Sequence, residues 1–570
     1  MKRTLSLIVL LTLCIVSWAV PSQRVRRSVL LADGTHVYVT LMGDEHFSWL
    51  QTDDGFVVEP TADGSSYVLT DRTATEVYDS FVQANESQFR APRRIGSAQT
   101  APLPTKGTVK VPVVLVNFAD SVFHVADTDE GVRNFYDLYC NGTRDGKLYK
   151  EHRSYGSIRD YFVQQSDSLF LPEFVILGPV TLSHPEGYYG GNKTGSKDTM
   201  YSAFRSESIK LVTEQNNIDW SVFDNKGKGQ VDLVFFIFAG CGEANGGPSN
   251  SLWPKENTGN ITANGIKFAT SACCNENRAT SFDNDGNVTS ARADGIGIMC
   301  HELCHALGLP DFYDTRSNPT YFGMDLWSVM DYGCYGRTGY QPVAFTAYER
   351  DFMGWRMLDS LTENQHVTLI PMEKGGIGYK IINDENPKEY YVVENRQNVG
   401  WDSGLYVRTS ATETAYFHGM QVTHVDFDAG IWNGNSVNSR SDHQRMTIIA
   451  ANNLYKGTTA NATNAELTET WSGNLWPFGA NDSLTSNSVP AATVYSASGF
   501  MKHDINAITE LDNGNITFYF GNDFATGIQG TSSFVNRSSS VAYDLQGRQM
   551  VNGNLPKGLY IRDGRKLIIR

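Results

Sequence analysis

The sequence predicts an α+β protein of several domains, in which a mixed domain lies between β-rich segments. Alternating apolar residues at 37–41 lie between recurring Asp-Gly pairs, a pattern typical of β-hairpins. Continuous apolar runs at 109–118 and 231–240 are typical of strands buried on both faces. Short alternating runs return between residues 360 and 525. Because 570 residues are too many for one core, several domains are expected.

The composition indicates packed globular material and limits the classes of partner. Hydrophobic residues make up 41% of the chain and aromatic residues 12%, which argues against disorder. The formal net charge of −15 argues against a nucleic-acid partner and favours solubility outside the cell. The charge does not identify a substrate.

The N-terminus predicts a secretory signal peptide at residues 1–19. Lys2 and Arg3 precede an apolar run at 5–16, and small residues follow at the cleavage positions. The run is too short to span a bilayer comfortably. We therefore expect a secreted or cell-surface protein without stable membrane insertion.

Cysteine usage leaves the pairing open. Of the eight cysteines, Cys14 lies in the predicted leader, and the seven that remain are an odd number. Export permits disulfides, but their connectivity cannot be deduced from spacing. Cys300 and Cys304 each precede a histidine of the motif described below and point about 100° away from it on a helix. We interpret both as small buried hydrophobic residues.

Residues 20–105 are predicted to form a β-rich unit followed by a linker. The linker contains Pro92, Arg93 and Arg94, then a stretch rich in Gly, Ser, Pro and Thr that ends at Lys106. A basic, flexible segment of this kind is a candidate processing site, and a plain linker is the alternative. Residues 106–358 follow as the mixed domain, with predicted helices at 157–165, 201–216 and 343–352.

The central motif lies at 301–311 and reads HExxHxxGxxD. On a helix, His301 and His305 project from one face and can bind one metal ion. Glu302 lies beside them, where its carboxylate can accept a proton from water at the metal. Gly308 can end the helix with a positive φ, so that Asp311 completes a three-ligand site. These ligands suit one catalytic Zn²⁺ better than calcium or magnesium, and a helix with two ordinary core histidines is the alternative.

A second motif, at 328–332, supports the first. Metzincin peptidases combine such a helix with a tight turn whose methionine lies beneath the metal, and Met330 occupies that place. Tyr332 matches a tyrosine that in some metzincins binds the metal or stabilises an oxyanion. A packing role for Tyr332 is the alternative. Residues 106–358 are therefore predicted to be a metzincin-like zinc peptidase domain.

Five segments carry a resemblance to a known family: HELCHALGLPDFYD, WSVMDYG, PVAFTAYERDFMGW, EYYVVENRQNVGWDSGL and GMQVTHVDFD. Together they resemble the immune inhibitor A family of secreted bacterial metallopeptidases, over residues 30 to 525 or so. The resemblance implies a secreted zinc endopeptidase that is made as a zymogen, with the unit at 20–105 as its propeptide. The residues themselves imply only a hydrolytic zinc site.

Two loops could be taken for cation sites. Members of this family often carry an Asp/Asn-rich calcium loop where this chain runs from Asp224 to Asp232. Lys226 and Lys228 stand where oxygen donors are needed, so a structural Ca²⁺ is not supported there. At 282–287, an Asp-Gly pair predicts a hairpin turn.

The C-terminal part is predicted to be all-β. Residues 359–525 have the short alternating runs of a β-sandwich, with Glu394, Arg396, Asp402, His424 and Asp426 beside apolar strands. We expect buried, satisfied pairs among them, with a substrate cleft or a cation site as alternatives. Residues 526–570 contain YDLQGR and KGLYI and resemble the sorting domains of type IX secretion, which implies secretion machinery as a partner. A small accessory β-domain is the alternative.

The function predicted from these motifs is zinc-dependent hydrolysis of peptide bonds in extracellular proteins. A catalytically silent adhesin on a peptidase scaffold is the first alternative, and loss of Glu302 or of a motif histidine would favour it. A zinc hydrolase with a non-peptide substrate is the second, and only the family resemblance argues against it.

Overall fold

The computed structural model describes residues 17–18, 20–44, 47–62, 64–85, 101–143, 152–192, 197–257, 259, 261–263, 265–315, 322–408, 414–440, 442–458, 462–524, 542–543, 549–550, 557–562 and 565–569. Most of the predicted leader and the basic residues Arg93 and Arg94 lie outside these ranges. The chain forms two compact units, Met1–Phe520 and Gly521–Arg570. In the part of the chain described, no helix is long and apolar enough to cross a membrane.

The N-terminal part is an antiparallel sheet packed on a helix. After the two-residue strand β1 (Ser17–Trp18), the strands in sheet order are β2 (Arg26–Leu30), β3 (His36–Gly43), β4 (Ser48–Thr52), β5 (Phe56–Pro60) and β6 (Tyr67–Thr73). Helix α1 (Ala74–Asn85) follows. Successive side chains of a strand point to opposite faces. Leu41 accordingly joins the large core shared with the central sheet, whereas Met42 packs with Trp49 in a smaller cluster that includes residues of α1.

The central sheet has four parallel strands, and the short strands β10 and β1 continue it at one edge. Its strands are β7 (Gly107–Asn117), β8 (Phe170–Thr181), β9 (Val231–Cys241), β10 (Lys255–Asn257), β11 (Ile261–Ala263), β12 (Ile266–Phe282) and β13 (Val288–Ala293). The order is β1-β10-β12-β9-β7-β8, and β11 and β13 also pair with β12. Strands β8, β7, β9 and β12 are parallel, and β10 runs antiparallel to β12. The predicted hairpin turn at 282–287 joins β12 to β13.

Helices cover both faces of this sheet, which is why its strands are continuously apolar. The helices of the chain are α2 (Asp129–Asn141), α3 (Ile158–Gln165), α4 (Glu186–Tyr189), α5 (Tyr201–Asn216), α6 (Gly297–Ala306), α7 (Ala347–Phe352), α8 (Ala429–Asn433) and α9 (Asn464–Ser472). On β7, Val113 packs in the cluster that holds Tyr161 of α3, and Val114 packs on the opposite side with Phe204 of α5.

Two of the three predicted helices are confirmed, and the third is shorter than predicted. Helix α5 has the predicted bounds, and α3 begins one residue later because Ser157 forms a capping box with Asp160. The prediction of helix at 343–352 is wrong for its first four residues. Thr346 and Glu349 form a capping box, which fixes the start of α7 at Ala347.

The loop from Asp224 to Asp232 is held by its own acidic side chains. The Asp224 carboxylate accepts hydrogen bonds from the backbone N–H groups of Lys228 and Gly229, at 2.8 and 2.7 Å. Asp232 accepts one from the backbone N–H of Lys226 at 3.1 Å. Backbone donors therefore bind both carboxylate oxygens of Asp224 and one of Asp232.

Two sheets form the β-rich region that follows. Their strands are β14 (Asp359–Ser360), β15 (Gln365–Leu369), β16 (Tyr379–Asn383), β17 (Asn386–Arg396), β18 (Tyr406–Arg408), β19 (Thr414–Tyr416), β20 (Gly419–Asp426), β21 (Met446–Ile448), β22 (Ile505–Glu510) and β23 (Ile516–Phe520). The sheets β14-β16-β17-β20-β21 and β15-β23-β22 share one core, and β18 pairs with β19 separately.

The prediction of buried pairs in this region is confirmed. The guanidinium of Arg396 donates to both carboxylate oxygens of Asp402, at 2.6 and 2.7 Å, and to Glu394 at 3.3 Å. The imidazole of His424 lies 2.9 Å from a carboxylate oxygen of Glu389. Asp426 likewise pairs with neighbouring basic side chains. These groups are satisfied by one another, as buried charges must be.

The second unit is a small antiparallel sheet. Its strands are β24 (Ala542–Tyr543), β25 (Gln549–Met550), β26 (Gly558–Arg562) and β27 (Arg565–Ile569), in the order β25-β24-β26-β27. The sequence predicts three short strands in this segment, and the described residues form four. The boundary between the units lies at residues 520 and 521, and the predicted domain limits stay predictions.

Candidate metal centre

Helix α6 and the turn after it form the candidate site. His301 and His305 lie one turn apart on α6, which ends where Gly308 adopts a φ of +105°. A residue with a Cβ is strained in that conformation, so glycine allows the chain to turn back sharply. The turn returns Asp311 to the helix, as the spacing predicts.

The three side chains converge on one point. The Nε2 atoms of His301 and His305 are 3.1 Å apart, and Oδ1 of Asp311 lies 3.1 Å from the first and 3.2 Å from the second. All three residues are fully buried. Ligand atoms around a tetrahedral zinc ion are separated by about 3.3 Å, so this donor set fits the metal. In the ranges described above, this is the one group of three His, Cys, Asp or Glu residues arranged to hold an ion.

Backbone carbonyl groups orient both imidazoles. Nδ1 of His301 lies 2.8 Å from the carbonyl oxygen of Val329, and Nδ1 of His305 lies 2.8 Å from that of Leu309. Each Nδ1 therefore carries the proton, and each Nε2 presents its lone pair to the site. Val329 directly precedes Met330, so the predicted Met-turn contacts a motif histidine.

The electrostatics of the cluster suit a cation. Burial lowers the pKa of His301, which favours the neutral imidazole that a metal requires. Burial alone would raise the pKa of Asp311, but the two imidazoles outweigh it and the pKa lies below its ordinary value. The carboxylate is therefore ionised. Burial alone would lower the pKa of His305, but the Asp311 carboxylate outweighs it and raises that pKa above its ordinary value.

Glu302 and Tyr332 lie at different parts of the site. Glu302 follows His301 on α6 and is fully buried. Tyr332 lines a cavity of about 350 Å³ together with Arg24 and Trp471, and its ring lies 5.2 Å from that of Tyr335. Burial raises the pKa of Tyr332 to about 12. The predicted catalytic role of Tyr332 stays a prediction.

The sequence predicts that the metal helix begins near Gly295 with Asp294 as its N-cap, and this prediction is wrong. Ile296, not Asp294, occupies the cap position of α6, and it makes no side-chain capping bond. The Asp294 carboxylate instead accepts hydrogen bonds from the side-chain amides of Asn245 and Asn275, at 2.8 and 3.0 Å. This acid ties β12 and the short helical turn after β9 to the start of the metal helix.

The cysteines near the site are buried thiols. Cys300 and Cys304 on α6 are fully buried in the core, as predicted. Burial raises the pKa of both thiols well above the ordinary value, which keeps them protonated and poor metal ligands. All seven cysteines outside the leader are unpaired.

Strand β10 runs beside the metal cluster. Burial raises the pKa of Glu256 on β10 to about 7, and His305 and Asp311 are among the charges that act on it. The N-terminal segment of the chain covers the outer edge of β10, because β1 pairs with it antiparallel through Ser17 and Trp18.

The next residues of the N-terminal segment are held by side chains of the central domain. Nε1 of Trp253 donates to the carbonyl oxygen of Val20 at 3.0 Å. The Tyr335 hydroxyl donates to the carbonyl oxygen of Pro21 at 2.7 Å. Burial raises the pKa of Tyr335 well above its ordinary value, and the charge of Glu302 adds to this shift. Sequence reasoning missed both contacts, since no local pattern marks an aromatic donor.

The family is recognisable in the region that holds this site. Residues 97–359 match the family described as "Immune inhibitor A peptidase M6, catalytic domain". This region is therefore a peptidase M6 catalytic domain, which confirms the resemblance for the central domain. The sorting-type resemblance of the C-terminal tail is not among these matches.

Two relatives are similar in sequence to part of this chain. Pre-pro-metalloprotease PrtV of Vibrio cholerae is 26% identical over 277 residues, which cover 44% of this chain and 30% of the relative. Immune inhibitor A of Bacillus thuringiensis is 24% identical over 277 residues, which cover 43% of this chain and 39% of the relative. The chain thus spans well under half the length of either protein.

Proposed function

We propose that this protein is a zinc-dependent endopeptidase that is exported as a zymogen and cleaves extracellular proteins. The observation that carries the proposal is the convergence of His301, His305 and Asp311 within a peptidase M6 domain. A bound zinc ion would polarise the scissile carbonyl and make an attacking water more acidic.

Glu302 is the proposed general base. Its carboxylate would accept the proton of the attacking water and later deliver it to the leaving amine. Its position on α6, next to a metal-binding histidine but outside the converging group, supports this division of roles. Tyr332 is the second proposed catalytic residue, which would bind the metal or stabilise the oxyanion.

The proposed substrate cleft runs along β10. An extended peptide can add to the free edge of a sheet by backbone hydrogen bonds. Strand β10 lies beside the cluster and would be the edge strand once β1 is removed. An antiparallel edge strand, a metal helix and a turn at Met330 together support the metzincin-like assignment. Trp253 and Tyr335 are then placed to donate hydrogen bonds to substrate backbone carbonyls, as they do to Val20 and Pro21.

Latency follows from the occupant of this cleft. Residues 20–22 are buried along the proposed cleft, and the following sheet packs on the catalytic core. A substrate would therefore be excluded from the same place. Removal of the leader at residue 19 would release β1 but leave Val20 and Pro21 bound. We expect the segment that joins the N-terminal sheet to the catalytic domain to be cut before residue 101. Leu103 is fully buried and its backbone N–H donates to the carbonyl oxygen of Ala306 at 2.9 Å, which protects this part of the proposed linker.

Full-length protein should digest casein weakly, and digestion should rise at least tenfold, by a rough estimate, once residues 20–100 are cut off and removed. The physical reason is that the cleft is then free. The measurement is the initial rate for one preparation before and after cleavage at an engineered site within 86–100. A chelator should abolish the released activity, and chain cut but still bound to its N-terminal part serves as the control. Equal rates before and after removal would refute latency.

The C-terminal unit is a proposed export signal. It is compact and separate from the unit that contains the metal cluster, so its loss should leave catalysis intact. A chain ending at Phe524 is expected to accumulate inside the native host while its zinc content and casein digestion match those of the full chain. The measurement is the ratio of extracellular to intracellular protein by immunoblot. An unchanged ratio would contradict the sorting role and leave the peptidase proposal untouched.

A further inference from the structure

Asn435 reaches the candidate metal ligand Asp311 from the β-rich region. It lies just after α8, 124 residues from Asp311 in sequence, and only 1% of it is exposed. Its side-chain Oδ1 accepts a hydrogen bond from the backbone N–H of Asp311 at 2.7 Å, and its Nδ2 donates to Oδ2 of the Asp311 carboxylate at 2.5 Å. One amide therefore holds both the backbone and the side chain of Asp311.

The two carboxylate oxygens of Asp311 therefore face different groups. Oδ2 is occupied by the amide of Asn435, and Oδ1 faces the Nε2 atoms of His301 and His305. The terminal torsion of an aspartate is broad, so a carboxylate without this contact can rotate away from the productive orientation. A buried carboxylate oxygen without its donor also carries a desolvation penalty.

Asn435 is itself held in place. Its backbone has a φ of +49°, a left-handed conformation that asparagine tolerates better than most residues. The hydroxyl of Thr315 donates to its carbonyl oxygen at 2.6 Å. Thr315 lies four residues beyond Asp311, so the segment after the metal helix binds Asn435 at both its backbone and its side chain.

We propose that Asn435 is a positioning residue that orients Asp311 toward the metal ion and so tightens metal binding. The inference rests on the proposed function, because it takes Asp311 to be a ligand. It makes the β-rich region part of the metal centre. Side chains that hydrogen-bond to a metal ligand and orient it commonly raise metal affinity by a factor of about 10–100.

The test is the dissociation constant for zinc, measured by competition with a chromogenic chelator. All variants are made in the full chain with Glu302→Gln, which prevents self-digestion. Asn435→Gly removes the amide and tolerates the left-handed backbone, whereas Asn435→Ala removes the same amide and adds backbone strain. Both are expected to weaken zinc binding by about 10- to 100-fold to the same extent, although Asn435→Ala should have the lower melting temperature.

Asn438→Ala is the matched control. Asn438 is a fully buried asparagine three residues further on, and its amide donates to the carbonyl oxygens of Phe312 and Met446, both at 2.6 Å. None of its described hydrogen bonds reaches the Asp311 carboxylate. Its loss should lower the melting temperature while zinc affinity stays within about threefold of the parent, the variation expected from context alone.

The outcomes separate the inference from the proposed function. Parent-like zinc affinity in Asn435→Gly, with Asp311→Ala strongly weakened, would overturn the positioning role alone. Parent-like affinity in Asp311→Ala would overturn the ligand assignment. Equal weakening by Asn435→Gly and Asn438→Ala would reduce the effect to general destabilisation and would also overturn the inference.

Discussion

Replacing Glu302 by glutamine should reduce kcat/KM for a peptide substrate at least about 10³-fold while zinc content stays at the wild-type value. The amide has nearly the same size as the carboxylate but cannot accept a proton, so the attacking water loses its base. Zinc is retained because Glu302 is not one of the three side chains that converge. Initial rates with a fluorogenic peptide and metal analysis are obtained from the same processed sample.

Glu389→Gln is the matched control for this substitution. Glu389 is a fully buried glutamate of the β-rich region that pairs with His424, remote from α6 in sequence and contacts. This variant should be less stable but should keep near wild-type kcat/KM. If Glu302→Gln keeps activity within tenfold of the wild type, another group acts as base. If it loses zinc, Glu302 is a ligand and the assignment of roles is wrong.

Replacing Asp311 by alanine should weaken zinc binding more than about 100-fold. This loss is larger than the loss of zinc affinity expected when a side chain that only orients a ligand is replaced. The substitution removes one of three donor atoms and the negative charge that faces the two imidazoles. Proteolysis should fall in proportion to zinc occupancy and recover in part when zinc is added in excess. Competition with a chelator gives the affinity, and titration of activity with zinc gives the recovery.

Asp314→Ala provides the comparison for this prediction. Asp314 is a buried carboxylate three residues beyond Asp311 that is not in the converging group, so its loss should leave zinc affinity near the wild-type value. Wild-type affinity in Asp311→Ala would assign the third ligand to another side chain. The peptidase proposal would survive that result.

Sequence alone predicted the parts of the site that depend on local geometry. The four-residue spacing of His301 and His305 fixes their common face, and Gly308 at its positive φ returns Asp311 to the helix. The apolar runs of β7 and β9 identified strands covered on both faces for a similar reason, because continuous burial leaves a continuous apolar pattern. These features are encoded within a few residues of one another.

The residues that sequence reasoning missed are brought in by long-range contacts. Asn435 is an ordinary polar residue in a loop until the fold places it against Asp311. Trp253 and Tyr335 were missed for the same reason, because a single sequence does not distinguish an aromatic hydrogen-bond donor from an aromatic packing residue. The wrong prediction for Asp294 has a different cause. An aspartate directly before a helix can either cap it or, as here, accept hydrogen bonds from neighbouring segments, and the sequence does not distinguish the two.

The assignment of a zinc peptidase is tested by zinc content and casein digestion, measured together on processed wild-type protein before and after chelation. We expect one zinc per chain, loss of zinc and activity in parallel, and return of both when zinc is restored. Undiminished casein digestion by zinc-free protein would contradict this assignment.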